Sequence, residues 1–136
     1  MSEVDISKLH VLVVDDEIFM RNLIKRLLEE INTGQVSSAG DGYKALSILK
    51  EAQPKVDVIL LDIEMPRMDG FQFLERMQSD LIPSLSNTPV IIISVLINKA
   101  AMDKAQNLGV SVSLSKPITR QQLTTPIIAA VWHSFQ

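Results

Sequence analysis

The chain has 136 residues, 46% of them apolar and 21% charged, the balance of an ordinary globular protein, and a length that suits one domain burying roughly 65–70% of its unfolded surface. A net charge of −3 gives no general attraction to nucleic acid or to anionic membranes. The lack of cysteine excludes disulfides, thiolate metal sites and cysteine nucleophiles. No run of about 18 apolar residues is present to span a bilayer, and Met1-Ser2-Glu3-Val4-Asp5 lacks the basic and apolar regions of a signal peptide. The expectation is a single cytoplasmic domain over residues 1–136, with its core at about 8–133.

In chain order, residues 9–14 form a short, valine-rich apolar run bounded by acidic residues, the pattern of a buried strand. Met20, Leu23, Ile24, Leu27, Leu28 and Ile31 recur at three- and four-residue steps and predict an amphipathic helix, ended by Gly34. Gln35–Ala39 suits a second strand. Gly40-Asp41-Gly42 reads as a turn into a helix carrying Tyr43, Ala45, Leu46 and Leu49, stopped by Pro54. The turn lacks the spacing and the lysine of a phosphate-binding loop.

Residues 56–61 predict a third strand ending at Asp62, and a loop with Pro66 and Gly70 leads to a helix with Phe71, Phe73, Leu74 and Met77. Residues 80–89 read as a proline-bounded loop. A fourth strand over 90–93 ends at Ser94, a helix over 100–108 is stopped by Gly109, and a fifth strand over 111–115 precedes Lys116-Pro117. A last helix follows. His10 and His133 are isolated and read as surface or packing residues, and Trp132 and Phe135 as a cover for the sheet or a frayed end. Five strands alternating with five helices imply a parallel sheet with helices on both faces, because parallel strands need crossovers and the sheet must be covered.

In an open parallel sheet, ligands bind outside the carboxyl ends of the strands. The residues there are Asp15, Asp16 and Glu17 after the first strand, Asp62 after the third, Ser94 after the fourth and Lys116 after the fifth. Two carboxylates about 4 Å apart repel by roughly 1 kcal/mol in water and about 4 kcal/mol at an effective dielectric of 20, so the cluster calls for a cation. Oxygen donors select a hard ion, and few carboxylates with room for water suit Mg²⁺. A carboxylate can serve as the nucleophile in phosphoryl transfer, with a metal, a lysine and a hydroxyl stabilising the transferring group.

These residues and their order resemble the receiver domains of two-component response regulators of the chemotaxis-regulator kind. The matching segments are Val11-Leu12-Val13-Val14-Asp15-Asp16-Glu17, Ile59-Leu60-Leu61-Asp62-Ile63-Glu64-Met65-Pro66-Arg67-Met68-Asp69-Gly70, residues 89–94 and Ser115-Lys116-Pro117. The resemblance implies a flavodoxin-like doubly wound sheet of order 2-1-3-4-5. It implies that Asp62 accepts a phosphoryl group from a histidine kinase or a histidine phosphotransfer protein. It further implies that Asp15, Asp16, Asp62 and the backbone carbonyl of Glu64 hold Mg²⁺, that Ser94 and Lys116 contact the phosphoryl oxygens, and that the bond before Pro117 is cis. Met65, Met68 and Gly70 would shape the loop after Asp62. The role implied is signalling by a phosphoacceptor rather than an enzyme's turnover.

Three positions depart from the family pattern. Ser113 stands where an aromatic residue is usual, Val95 where a small residue flanks the site, and Pro126 interrupts the last helix, which a threonine cap at Thr124-Thr125 would restart. Residues 127–132, apolar on nearly every side, call for burial. They point to a partner or a second copy on the face made by the fourth helix, fifth strand and fifth helix. Ser113 and Val95 favour an alternative reading, a degenerate pseudo-receiver acting as an interaction module. A phosphohydrolase of the haloacid-dehalogenase type shares the parts list but places its nucleophile on the first strand and its paired acids last, the reverse of the order here.

Overall fold

The computed structural model describes residues 4–79, 87–95, 98–110 and 112–134. A short 3-10 helix (Ile6–Lys8) precedes β1 (His10–Val14), α1 (Ile18–Glu30), β2 (Gln35–Ala39), α2 (Gly42–Glu51) and β3 (Val58–Leu61). Then come α3 (Gly70–Ser79), β4 (Val90–Ser94), α4 (Lys99–Asn107), β5 (Val112–Ser115) and α5 (Arg120–Ser134). The strands form one sheet in the order β2-β1-β3-β4-β5, and every pairing is parallel. The doubly wound flavodoxin-like sheet expected from the sequence is therefore the fold.

The period-2 alternation of the central strands divides the core in two. Val11 and Val13 of β1, Val58 and Leu60 of β3, and Ile91 and Ile93 of β4 pack with Ile24 and Leu28 of α1 and Leu123, Ile127 and Val131 of α5. Their neighbours Leu12, Val14, Ile59, Leu61 and Ile92 pack against α2, α3 and α4 through residues such as Leu46, Phe73 and Ala105. Strands β1 and β3 are buried throughout, whereas the edge strands β2 and β5 are partly exposed.

Four helices begin with side chains that satisfy their free amides. Asp41 accepts from the Lys44 amide at 2.8 Å and Asn98 from the Ala101 amide at 2.9 Å. Asp69 with Gln72, and Thr119 with Gln122, form reciprocal capping boxes. The exception is α1, where the Glu17 side chain makes no capping bond.

Several expectations are corrected. Helix α1 stops at Glu30, and Asn32, not Gly34, takes the left-handed conformation (φ 63°). Gly34 serves a close approach instead, since a Cβ there would lie 2.7 Å from the Ser7 carbonyl oxygen. Of the two histidines read as surface or packing residues, His10 is a packing one and agrees with that reading: it is 1% exposed, with its ring held between the Pro54 carbonyl and the Ser37 hydroxyl.

The last helix neither breaks nor restarts. It is continuous from Arg120 to Ser134 with Pro126 inside, and the Thr124 hydroxyl donates to the Arg120 carbonyl one turn back. Nor is it buried all round. Leu123, Ile127 and Val131, at four-residue steps, form the buried stripe, while Ile128 is 37% exposed. Tertiary packing of that stripe outweighs the local cost of the proline. Most of the 80–89 loop, with Ser111 and Phe135, lies outside the described residues.

Leu123→Ala is expected to cost about 2–5 kcal/mol in urea denaturation, and Ile128→Ala, on the outer face of the same helix, less than about 0.5 kcal/mol.

Candidate functional site

The acidic corner is assembled by the sheet. Asp15 follows β1 and its amide donates to the Ala39 carbonyl at the end of β2 (3.1 Å), while the Asp62 amide donates to the Val14 carbonyl (2.9 Å). One carboxylate oxygen from each of Asp15, Asp16 and Asp62 lies within 4.8 Å of the others. Asp15 and Asp62 are buried and Asp16 is exposed.

The counter-charge comes from the far side of the sheet. Lys116 reaches back so that Nζ lies 2.7 Å from Asp15 Oδ2 and 3.5 Å from Asp62 Oδ2. The peptide bond between Lys116 and Pro117 is cis. The other Asp15 oxygen accepts the Glu17 amide at 2.9 Å, which ties Asp15 to the residue that precedes α1. Ser94, fully buried at the end of β4, and the Glu64 amide lie near enough to the Asp62 carboxylate to favour its ionised form.

Three carboxylates facing one ammonium leave an excess of negative charge. Burial, then repulsion from Asp15, pushes the Asp62 carboxyl above its ordinary value, against the pull of Lys116, Ser94 and the Glu64 amide. Burial alone would lower the Lys116 ammonium, but the hydrogen bond to Asp15 and the charges of Asp62 and Asp15 raise it above the ordinary lysine value. Hard oxygen donors with uncompensated charge fit a hard divalent cation, so the donor set suits a bound metal ion.

The cluster opens into a cleft of about 400 Å³ lined by Asp16, Glu17, Met20, Asp62, Glu64, Val95, Lys116 and Pro117. Val95 stands at its rim, 70% exposed. Ser113 pairs in register with Ile92 in the middle of β5 and does not line the cleft. Met65 and Met68 are buried beneath the loop that follows Asp62. Gly70 lets α3 start against that loop, because a Cβ there would lie 2.6 Å from the Asp62 carbonyl oxygen. A second cleft of about 430 Å³, lined by Tyr43, Arg67 and Arg76 among others, lies away from this chemistry.

Two residues of the site escaped the sequence reading. Met20 was assigned to the helix core yet lines the cleft. Arg21 donates from Nη1 to the Asp15 carbonyl at 2.8 Å; a charged residue between the apolar positions Met20 and Ile24 was the only signal of it.

A doubly wound parallel sheet with carboxylates, a hydroxyl and a lysine at successive strand ends defines the class. The model of the response regulator receiver domain matches residues 11–128, and the chain belongs to that family of signalling domains. It is 33% identical over 122 residues to a probable chemotaxis protein CheY of Rhizobium etli, covering 90% of this chain and 92% of that protein. It is 42% identical over 113 residues to a protein-glutamate methylesterase/protein-glutamine glutaminase of Caldanaerobacter subterraneus, covering 81% of this chain but only 29% of that protein. The structure of chemotaxis protein CheY4 of Vibrio cholerae superposes with a TM-score of 0.78 at 28% identity, over 90% of this chain and 98% of that one. Among the described residues, no helix is long and apolar enough to cross a membrane.

Lys116→Met leaves two buried carboxylates without their cation and is expected to cost about 3–5 kcal/mol in metal-free denaturation. Because the folded-state value of Lys116 is raised, its stabilisation is complete below the unfolded lysine value and fades only as the pH climbs through the higher folded one. Asp62 is raised as well, so its favourable share exists below the unfolded carboxyl value and is lost as pH rises through the folded one. Asp62→Asn is therefore expected to raise the Tm in EDTA at neutral pH, and that gain should shrink as the pH falls toward 4.

Proposed function

We propose that the chain is a phosphoacceptor receiver, a single domain over its 136 residues, in which Asp62 takes a phosphoryl group from a phosphohistidine. The donor is a histidine kinase or a histidine phosphotransfer protein. The observation that carries this reading is the setting of Asp62: a carboxylate at a strand end beside the Lys116 ammonium at 3.5 Å, near the Ser94 hydroxyl that favours its ionised form, and open to a cleft.

A carboxylate oxygen of Asp62 attacks phosphorus, the bond from phosphorus to the imidazole nitrogen breaks, and the nitrogen leaves with its electron pair. Lys116 and Ser94 meet the negative oxygens of the transferring group, a contribution made where charge is concentrated in the transition state. Asp15, Asp16, Asp62 and the Glu64 backbone carbonyl are the proposed ligands of Mg²⁺, which when bound neutralises charge on the phosphoryl oxygens. Water later hydrolyses the acyl phosphate, and Val95 at the rim of the cleft is placed to slow either access or release.

Phosphorylation adds about −1.5 to −2 of charge, and it shifts a conformational equilibrium only by as much as it interacts differently with the two states. The proposed reader, a downstream protein or a second copy, binds the face of α4, β5 and α5. Its support is the exposure of Met102 on α4 and Ile128 on α5 beside the partly exposed edge strand β5.

Incubation with acetyl phosphate and Mg²⁺ is expected to add one phosphoryl group by intact mass, lost with EDTA and absent in Asp62→Asn. A folded wild type that binds Mg²⁺ and gains no mass from either acetyl phosphate or a phosphohistidine protein would overturn the reading. Light scattering before and after phosphorylation checks the output face, with self-association excluded by a strict monomer in both states.

A further inference from the structure

Asp15 and Asp16 sit in the turn between β1 and α1, and three of that turn's four anchors are already accounted for. The Asp15 amide is tied to the Ala39 carbonyl, one Asp15 oxygen to the Glu17 amide and the other to Lys116. The fourth is the Asp15 carbonyl, held by Arg21 Nη1 at 2.8 Å. That carbonyl lies in the peptide plane joining Asp15 to Asp16, so fixing its oxygen fixes where the Asp16 Cα sits and narrows the arc its side chain can sweep.

The contact depends on what lies beneath the guanidinium. A Cβ at Gly40, the residue just after β2, would lie 3.0 Å from Arg21 Nη1, 3.5 Å from Cζ and 3.8 Å from Nη2. The guanidinium therefore lies across the bare Gly40 backbone, reaching from α1 over the end of β2 to the end of β1. Arg21 is half-buried and, among the described residues, forms no ion pair within 4.0 Å. Its polar contact is made to backbone, and the backbone it holds is the segment that carries two of the three acidic residues.

The geometry points to Arg21, seated on Gly40, as a positioning residue that orients Asp16 for metal binding by clamping the Asp15–Asp16 peptide. This rests on the receiver reading above and adds to it the residue that sets the metal requirement. Asp16 is the exposed member of the cluster, and its orientation is the one least constrained by burial. A partner that holds a ligand-bearing segment typically changes metal affinity by about 10-fold or more when removed.

The test is Mg²⁺ titration by calorimetry, run beside the Mg²⁺ dependence of phosphorylation by acetyl phosphate. Arg21→Met is expected to weaken Mg²⁺ binding about 10-fold and to raise the Mg²⁺ needed for half-maximal phosphorylation by the same factor, with the rate at saturating Mg²⁺ largely kept. Arg21→Lys, which retains a donor and the charge, is expected to recover most of the loss. Gly40→Ala, which pushes the guanidinium tip by a few tenths of an ångström, is expected to give a loss smaller than that of Arg21→Met, and Arg26→Met, exposed on the same helix, to match wild type.

Arg21→Met and Gly40→Ala proteins that bind Mg²⁺ as wild type does would overturn the assignment, as would an Arg21→Lys no better than Arg21→Met. If Arg21→Met fails to fold, Gly40→Ala decides alone. A wild type that binds no Mg²⁺ would instead sink the receiver reading, and this assignment with it.

Discussion

Like charges gathered in one corner cost free energy, and the architecture around this site can be understood as the means of tolerating that cost. Asp15 and Asp62 are taken out of water, where their mutual repulsion is larger than it would be in solvent. A single lysine, 101 positions away from Asp15 in the chain, touches both. Helices packed on each face hold the sheet together, so that β1, β3, β4 and β5 deliver their terminal residues to the same place. The Glu17 amide adds a hydrogen bond to Asp15, and the Ser94 hydroxyl and Glu64 amide favour the ionised form of Asp62.

Much of this was legible in sequence because strand ends are. β2 was read to the residue, bounded as it is by Gly34 and Gly40, and the apolar runs of β1, β3 and β4 stood out against acidic or proline-containing flanks. Once a parallel sheet is inferred, the residues after each strand are forced to one edge, which is why Asp15, Asp16, Asp62, Ser94 and Lys116 could be grouped before any coordinates were known. The family resemblance then assigned their roles.

What stayed illegible depends on three-dimensional neighbours. Arg21 acts on a backbone carbonyl, and no periodicity reports that. The upward displacement of the Asp62 carboxyl comes from burial and then from the charge of Asp15, both set only once the sheet is assembled. The continuity of α5 through Pro126 runs against local propensity and follows from where Leu123, Ile127 and Val131 find their cavities. The end of α1 went astray for a related reason: two residues near it, Asn32 and Gly34, suit a helix stop, and only the approach of Gly34 to the Ser7 carbonyl shows which serves another purpose.

The fit of Gly70 against the loop after Asp62 has a further meaning when set beside the Lys116 and Ser94 contacts. On the α3 side the aspartate is joined to its surroundings through main chain, with the Gly70 amide on the Ile63 carbonyl at 2.7 Å and no room even for a methyl group. On the β4 and β5 side it is joined through side chains, whose torsions can change without moving the main chain. Asp62 thus sits between main-chain contacts on one side and side-chain contacts on the other. On the reading proposed above, a charge added to Asp62 would be felt as motion mainly on the side of the side-chain contacts, so the molecule carries a built-in direction for its message before any listener is present.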